Sequence, residues 1–265
     1  MGSRACITGA SSGIGRSLAV QLAAEGYDLL ITGRRRVRLE NLAREVGENH
    51  GRAVEIMVGD LADPSEITRL AERLAGEDEL SVLVHNAGYG HSTDFTATPR
   101  DELLAMGRVH MQCAVALVRA ALEPLRRSAT APARRPGIIL VSSMAAFAPL
   151  PGAAMYTASK AFLVWLGRAL HPVCIDAGVR LQVLCPGFTH TDFHDRLDWS
   201  AERRRSRGII RWMHADEVAR RALRSLRGDR LARRVVFVPG WTNRLMLLLI
   251  RLMPHRLYLR ISRVG

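Results

Sequence analysis

Short apolar runs alternate along the chain with longer stretches in which apolar residues recur every three or four positions. The short runs are rich in leucine and β-branched residues and have no polar face, which is typical of parallel strands covered on both sides. The longer stretches have the period of amphipathic helices. Their alternation predicts right-handed crossovers and a doubly wound parallel α/β sheet. The predicted strands are 4–8, 28–32, 53–58, 81–85, 137–142, 180–184 and 234–238, and the predicted helices are 14–25, 37–46, 65–75, 98–127, 153–177 and 215–227.

The chain contains no internal repeat and no low-complexity block. The fourth helix has a recognisable start, with Thr98 as the predicted cap, Pro99 in the first turn and Asp101 three residues after the cap. Segment 128–137 is predicted to be a surface loop. A chain of 265 residues can bury the core of one α/β domain, and no interior stretch is long enough for a linker. We therefore predict a single domain over 1–265.

A glycine-rich turn follows the first predicted strand and leads into a stretch with helical periodicity. Glycines let the backbone approach a pyrophosphate, whose charge is favoured at the positive end of the helix. The order of strand, turn and helix predicts a Rossmann-like dinucleotide-binding unit. Its spacing is Gly-x-x-x-Gly-x-Gly, whereas the commoner pattern is Gly-x-Gly-x-x-Gly. The residues predicted to hold the dinucleotide here are Gly9, Ser11, Ser12, Gly13, Ile14 and Gly15.

A serine, a tyrosine and a lysine predict an acid–base site. Tyr156 and Lys160 are four positions apart, so on a helix they share one face, and Ser143 precedes the tyrosine by 13 positions. A free tyrosine has a pKa of about 10, and a nearby ammonium lowers that pKa by favouring the phenolate. A serine hydroxyl within reach can hold a carbonyl oxygen while the tyrosine delivers its proton. The neighbouring Ser142 is predicted to be a strand-end residue. The trio is suited to interconverting a ketone and an alcohol.

Five motifs in chain order make the sequence similar to the compact branch of the short-chain dehydrogenase/reductase family, and the resemblance covers nearly the whole chain. They are the glycine-rich turn, Asp60-Leu61, Asn86-Ala87-Gly88, Ser143 with Tyr156 and Lys160, and Pro186-Gly187 followed by Thr189 and Thr191.

The resemblance implies how the cofactor and the substrate are held. It places Asp60-Leu61 near the adenine, the Asn86-Ala87-Gly88 turn along the ribose, and Thr191 near the nicotinamide carboxamide. It implies direct hydride transfer from the nicotinamide to a carbonyl carbon. Tyr156 would then protonate the carbonyl oxygen, and Lys160 would also bind the nicotinamide ribose. The family further implies a homodimer or homotetramer.

The end of the second strand indicates which cofactor is bound. An acid there suits the free 2′-hydroxyl of NAD(H), whereas a basic residue suits the 2′-phosphate of NADP(H). Here the strand is followed by three arginines and no acid. Arg34 is the predicted phosphate ligand, with Arg35 as the second choice, because a guanidinium can bind phosphate in bidentate fashion. We predict NADP(H) in preference to NAD(H); the alternative is a charged turn at the sheet edge.

His110 departs from the family pattern. In the family, an asparagine at this position of the helix organises a water relay to the lysine. A histidine also donates and accepts hydrogen bonds, and it titrates near neutrality. Two interpretations stay open: His110 takes part in an altered catalytic relay, or it satisfies local backbone groups.

The segment 188–213 is predicted to form a lid over the nicotinamide. It mixes large apolar residues with arginines, which suits a hydrophobic ketone with an anionic end, such as a 3-ketoacyl thioester. The alternative is an amphipathic helix pair packed on the body, with its arginines in water. The apolar residues are Phe188, Phe193, Leu197, Trp199, Ile209, Ile210, Trp212 and Met213, and the arginines are Arg203, Arg204, Arg205 and Arg207. The opposite wall is predicted to contain Tyr89, His91, Phe147 and Met155.

The C-terminal tail, 241–265, is both basic and apolar. It falls short of the roughly 20 apolar residues that a spanning helix needs. The tail could close over the substrate lid, form a subunit contact or lie on an anionic membrane surface. We rank internal or intersubunit packing first and peripheral contact with an anionic membrane through 245–263 second. The chain as a whole has 38 Lys+Arg against 25 Asp+Glu, a formal charge of +13, which attracts anions. The favoured interpretation of this excess is that many of the arginines form a solvated surface. Basic runs with few aromatics do not predict nucleic-acid binding.

The remaining expectations concern location and activity. The four cysteines are scattered without a metal-like grouping, so we expect reduced thiols and a cytoplasmic protein. The first predicted strand begins close to Met1, so we expect no signal peptide. The favoured function is an NADPH-dependent reductase of an apolar ketone, and the rival is a catalytically quiet NADP-binding sensor or scaffold.

Overall fold

The computed structural model describes residues 3–90, 95–130, 136–193, 206, 211–228, 234–254 and 258. The strands are β1 (Arg4–Thr8), β2 (Asp28–Gly33), β3 (Val54–Val58), β4 (Leu80–His85), β5 (Gly137–Val141), β6 (Arg180–Leu184), β7 (Thr189–His190), β8 (Met213–His214) and β9 (Val236–Phe237). The helices are α1 (Gly13–Ala24), α2 (Arg36–His50), α3 (Pro64–Ala75), α4 (Arg100–Gly107), α5 (Cys113–Ala129), α6 (Ala154–Asp176), α7 (Ala215–Arg227) and α8 (Trp241–Leu252).

Seven of these strands form one parallel sheet, in the order β3-β2-β1-β4-β5-β6-β9. The order reverses between β1 and β4, which pair side by side although two strands separate them in the chain. In doubly wound sheets such a switch point opens a crevice at the carboxyl ends of the strands, where ligands bind. The predicted single Rossmann-like domain with about seven strands is confirmed.

Both faces of the sheet are buried, each by its own apolar layer. Successive strand residues point to opposite sides. Cys6 therefore packs in the layer that includes residues of α3, α5 and α6, whereas its neighbour Ile7 packs in the layer that includes α1, α2 and α7. The same alternation separates Leu83 from Val84. This double burial is the reason that the central strands have no polar face in the sequence.

The predicted helix 98–127 is interrupted in the structure. A π-helical turn over Arg108–Gln112 separates α4 from α5 and contains His110. The prediction of one regular helix was wrong here, because a single wider turn does not disturb the average apolar period that sequence analysis detects. The helix start also differs: α4 begins at Arg100 with Pro99 at its cap, and Thr98 is buried.

Smaller differences occur at the other boundaries. α5 continues to Ala129, so the predicted loop 128–137 begins later than expected, and its residues 131–135 lie outside the described residues. The last strand of the sheet is only Val236–Phe237. The β7–β8 ladder was not predicted. Among the described residues, no helix combines the length and apolar character needed to cross a bilayer.

Candidate active site

The glycine-rich turn joins β1 to α1 in a conformation that suits glycine. Gly9 and Gly13 have φ angles of +67° and +56°, in the left-handed region that side chains disfavour. A Cβ on Gly9 would lie 2.9 Å from the Ala87 Cα, and one on Gly13 would lie 2.9 Å from the Thr191 Cγ2. α1 begins at Gly13 with no acid in its first turn. The turn and the helix start thus form a cradle suited to phosphate groups.

Asn86 fixes this cradle from behind. Its Nδ2 donates to the backbone oxygens of Thr8 at 3.0 Å and Gly9 at 3.2 Å. In return, the Thr8 Oγ1 accepts hydrogen bonds from the backbone nitrogens of Asn86 and Ala87, both at 2.9 Å. A Cβ on Gly15 would collide with the Asn86 Nδ2. Gly15 therefore leaves room for the asparagine and acts through packing.

A cavity of about 770 Å³ extends from the cradle over the carboxyl ends of the central strands. This volume lies within the range of small-molecule and cofactor sites, roughly 300–1,000 Å³. Two predicted site residues, Gly15 and His110, do not line the cavity. The predicted residues that do are Gly9, Ser11, Ser12, Gly13, Ile14, Arg34, Asp60, Leu61, Asn86, Ala87, Gly88, Ser143, Tyr156, Lys160, Pro186, Gly187, Thr189 and Thr191.

Arg35 lies across the cradle. Its Nη2 donates to the Ser11 Oγ at 3.0 Å and to the Ser12 Oγ at 2.6 Å. Its Nη1 lies 3.0 Å from the Asp192 carboxylate, which also pairs with Arg38. Burial raises the pKa of Asp192, but the hydrogen bonds from the two arginines outweigh burial, and the net pKa is lowered. The Arg35 guanidinium is thus positioned for an anion beside the glycine-rich turn.

Arg34, the first choice of the sequence analysis, has a more exposed environment. Its Nη1 is 3.4 Å from an Asp60 carboxylate oxygen, and its guanidinium lies 6.0 Å from the centre of the Tyr89 ring. About half of its side chain is exposed. The structure therefore brings both arginines to the cavity, but Arg35 makes the denser set of contacts with the cradle.

The predicted acid–base trio converges on the cavity. Tyr156 and Lys160 lie on the first turns of α6, and Ser143 follows β5, where its Oγ accepts from the Ala145 nitrogen at 3.1 Å. The Lys160 Nζ donates to the Val141 oxygen at 3.0 Å and lies 5.8 Å from the centre of the Tyr156 ring. A hydroxyl, a phenol and an ammonium are therefore collected at one place.

The ionisation of this trio differs from the expectation in one respect. Burial raises the pKa of Tyr156, and its hydrogen bond with Ser143 offsets only part of that rise. Burial lowers the pKa of Lys160 to about 8. The expected lowering of the Tyr156 pKa is not seen in this structure, because loss of water disfavours the phenolate and the ammonium alike. Tyr156 is therefore held as the neutral acid at neutral pH.

The serine next to the trio has a structural role. The Ser142 nitrogen donates to the Leu184 oxygen at 2.7 Å, and the Ser142 hydroxyl donates to the Lys160 backbone oxygen at 2.7 Å. It lies at the end of β5 and ties that strand to β6 and α6, as predicted for a strand-end residue.

His110 lies behind the cavity and is fully buried. Its Nε2 accepts from the Tyr89 backbone nitrogen at 3.0 Å, and its Nδ1 is 2.7 Å from the Ser159 hydroxyl, which donates to the backbone carbonyl oxygen of Tyr156. A Cβ on Gly88 would touch both the His110 ring and the Lys160 amine. Because both ring nitrogens hold protein groups, this geometry favours the interpretation that His110 supports the backbone around the site. A direct role in catalysis stays a prediction.

Comparison with known proteins agrees with this geometry. The sequence model described as short chain dehydrogenase matches residues 3–201, which include the cradle, both cavity arginines and the acid–base trio. The chain belongs to the short-chain dehydrogenase/reductase family. It is therefore an oxidoreductase of the kind that acts on alcohol and carbonyl groups.

Individual relatives give the same result. An uncharacterised oxidoreductase of Staphylococcus saprophyticus is 29% identical over 201 residues, which are 76% of this chain and 84% of that protein. A very-long-chain 3-oxoacyl-CoA reductase of Phaeosphaeria nodorum is 34% identical and is matched over 68% of this chain and 53% of its own length. The chain thus aligns with about half of this second relative.

A solved structure resembles almost the whole chain. It is the short-chain dehydrogenase from Sphingobium yanoikuyae in complex with NADPH, with a TM-score of 0.80 and 27% identity over 95% of this chain and 96% of that one.

The end of the cavity beyond the trio is apolar in this short-chain dehydrogenase/reductase. Phe193 lies with its ring centre 5.5 Å from that of Tyr156. Phe188 also lines the cavity and stacks on Trp212 at 5.3 Å. Sequence analysis missed several residues of this wall, because their contribution depends on how distant segments fold back. They are Leu150, Pro151, Met246, Ile250 and Tyr258.

Two residues predicted for the opposite wall lie elsewhere. The Arg251 guanidinium lies 5.2 Å from the centre of the Phe147 ring, and Met155 lies against Gly107. Tyr89 does line the cavity. The predicted wall residue His91 and the predicted lid residues Leu197, Trp199, Arg203, Arg204, Arg205, Arg207, Ile209 and Ile210 lie outside the described residues.

Proposed function

We propose that the protein is an NADPH-dependent reductase that converts a bulky, apolar ketone to an alcohol. One observation carries the proposal: a single cavity joins a phosphate cradle, a neutral phenol and an apolar wall. The residues of the cradle fit a dinucleotide, because Gly9 and Gly13 let the turn pack closely against Ala87 and Thr191 and place backbone without side chains at the cavity wall. When bound there, NADPH supplies the hydride.

The side chains of the trio then have complementary tasks. Ser143 orients the ketone by donating a hydrogen bond to its oxygen. Tyr156 donates its phenolic proton to that oxygen as negative charge develops on it. Lys160 holds positive charge beside the phenolate that remains, and its contact with the Val141 oxygen fixes the direction of the amine. These steps require Tyr156 to begin as the protonated acid, which its raised pKa favours.

The preference for NADPH rests on the two arginines at the cavity. Arg35 already holds the Asp192 carboxylate next to the Ser11 and Ser12 hydroxyls, so the same guanidinium can hold a 2′-phosphate. Arg34 supplies a second cation at the end of β2. No acid replaces them in the Thr32–Arg36 stretch of the sequence, where an NAD-type site carries one.

Replacing Arg35 by serine is expected to weaken NADPH binding by roughly tenfold to a hundredfold, because a charged hydrogen bond to phosphate is lost. NADH, which has no 2′-phosphate, should lose much less affinity. Both Kd values can be measured by nicotinamide fluorescence. Arg36→Ser is the matched control, since Arg36 is an exposed neighbour that pairs with Glu40. An equal loss of both affinities in Arg35→Ser would reject the phosphate role.

The proposed substrate follows from the apolar wall. Phe188, Phe193, Met246 and Ile250 offer no partner for a polar substrate body. The Phaeosphaeria nodorum relative is named for a very-long-chain acyl substrate, which supports the same class. A panel of ketones of increasing apolar size, followed by loss of NADPH absorbance, should show kcat/KM rising with apolar size. Turnover of small polar ketones in preference to large apolar ones would contradict the proposal.

The proposed assembly is a homodimer or homotetramer, and the proposed location is the cytoplasm. The family supplies the first expectation. Large apolar side chains on the outer faces of two long helices support it, with Val115 of α5 46% exposed and Trp165 of α6 66% exposed. Such faces are commonly covered by another subunit.

A further inference from the structure

The C-terminal helix α8 has two apolar faces that look in different directions. Met246 and Ile250, four residues apart, line the cavity, while Asn243 and Leu247 are buried against the body of the protein. The opposite face is open. Its large side chains repeat at helical spacing and form the outer stripe of α8, in which Trp241 is 73% exposed, Leu245 39%, Leu248 52%, Leu249 48% and Leu252 73%.

The outer stripe is continuous. Positions 241, 245, 248, 249 and 252 follow the order i, i+4, i+7, i+8 and i+11, which places them on one side of a helix. A helix on the surface of a protein normally presents polar residues to water. A stripe of leucines with a tryptophan at one end therefore indicates a surface that is covered by another protein or by lipid. The stripe lies beyond residues 3–201, to which the family model corresponds.

The charges next to the stripe indicate what covers it. The exposed Arg244 and Arg251 lie on α8, and the sequence from 241 to 265 contains five arginines and no acid. In a two-fold contact with a second copy, the stripe would meet itself and bring arginines against arginines without a carboxylate on the helix. An anionic lipid surface instead offers hydrocarbon to the leucines and negative headgroups to the arginines.

We propose that the outer stripe of α8 docks the protein on an anionic membrane surface, with the helix lying in the plane of the interface. Its 12 residues span about 18 Å, which suits a helix lying on a bilayer and not crossing one. The tryptophan at one end suits the headgroup region. The cavity then opens beside the lipid, because the inner face of α8 forms part of its wall.

This position would let an apolar ketone pass from the bilayer to the cavity with little exposure to water. Arg251 lies over Phe147, three residues before the cavity residue Leu150, so the basic end of α8 and the apolar rim adjoin one another. The delivery of substrate from lipid rests on the proposed function, whereas the docking itself does not.

The test is flotation of the full-length protein with phosphatidylcholine vesicles that contain or lack phosphatidylglycerol. The wild type should bind the anionic vesicles and bind less as salt is added, since screening weakens the arginine contribution. The double variant Leu248→Glu with Leu252→Glu should bind at least roughly tenfold more weakly, because two carboxylates replace apolar anchors. Val37→Glu is the matched control, since Val37 is 67% exposed on α2, whose buried residues pack on the opposite face of the sheet from Leu247 of α8.

Each outcome supports or overturns membrane docking through the outer stripe. Binding of the wild type and of Val37→Glu, with loss in the double variant, supports the proposal. No binding of the wild type to anionic vesicles overturns it, as does equal binding of wild type and double variant. A dimer that dissociates in the double variant, seen by sedimentation equilibrium without any vesicle binding, assigns the stripe to a second copy and also overturns it. Flotation needs neither cofactor nor ketone, so its result is independent of whether the proposed activity is found.

Discussion

Phenylalanine in place of Tyr156 is expected to lower kcat for ketone reduction by roughly a hundredfold to ten-thousandfold, the range attributed to a positioned proton donor. The substitution removes one oxygen and leaves the ring in contact with Phe193 and His110. Because the phosphate cradle and the arginines are untouched, NADPH should bind with nearly unchanged affinity. Steady-state kinetics and nicotinamide fluorescence on the same preparation separate these two quantities.

Tyr89→Phe is the matched control for this prediction. It removes a hydroxyl from the same cavity, on the wall beside Arg34, and should leave most of the activity in place. Unchanged turnover in Tyr156→Phe would reject the assignment of the proton donor. Loss of NADPH binding together with turnover would instead indicate that the hydroxyl holds the cofactor. Ketone turnover by the wild type would also exclude the rival idea of a catalytically quiet sensor.

Methionine in place of Lys160 is expected to reduce kcat by roughly a hundredfold. At the observed separation of 5.8 Å between the amine and the tyrosine ring, a unit charge stabilises a phenolate by about 3 kcal/mol at an effective dielectric constant near 20. That free energy corresponds to roughly a hundredfold in rate. Methionine keeps most of the apolar stem of lysine, so the variant removes the charged amine and its hydrogen bonds with little change in packing.

The same lysine predicts a pH dependence. Its pKa is lowered to about 8 by burial, so the amine is charged below that pH and becomes neutral above it. The value of kcat/KM for NADPH reports ionisations of the free protein. It should therefore be level below pH 8 and fall by about tenfold per pH unit above it, as the charged fraction falls. In Lys160→Met this fall should be absent.

A direct measurement is available because Lys160 is the one lysine among 38 basic residues of the sequence. Protein labelled with ¹³Cε-lysine should give a single side-chain signal that titrates with a midpoint near 8. A midpoint near the ordinary value of about 10.4 would contradict the role given to burial. A lysine suits this buried position better than an arginine would. Arginine stays charged at all accessible pH values, whereas the pKa of lysine shifts readily when it is buried.

The fold class followed from the sequence because its signals are local and repeated. The central strands β1, β2, β4, β5 and β6 are short, mainly apolar runs buried on both faces as that pattern predicts, whereas the edge strands β3 and β9 are only partly buried. The residues of the candidate site were predictable for the same reason. The spacing between Tyr156 and Lys160 fixes a shared helix face, and the glycine spacing fixes the turn after β1. The carboxyl ends of neighbouring parallel strands then bring these pieces to one edge.

Other features were not predictable in this way. Arg34 and Arg35 are adjacent and chemically identical, and only the packing of the turn after β2 shows that Arg35 reaches the Ser11 and Ser12 hydroxyls. The π-helical turn at His110 leaves no mark on the apolar period. The pKa of Lys160 depends on its burial against Val141, a neighbour 19 positions away. Each of these properties depends on contacts between segments that are distant in the chain.

Helix α8 shows most clearly which properties follow from the sequence and which depend on the tertiary structure. Its sequence determined an apolar, basic segment too short to span a membrane, and left open whether it packs inward or faces outward. The tertiary structure decided that it does both, with Met246 and Ile250 on the cavity and Leu248 and Leu252 in solvent. Periodicity specifies which residues share a face of a helix, but the direction in which that face points is set by what the rest of the chain places beside it.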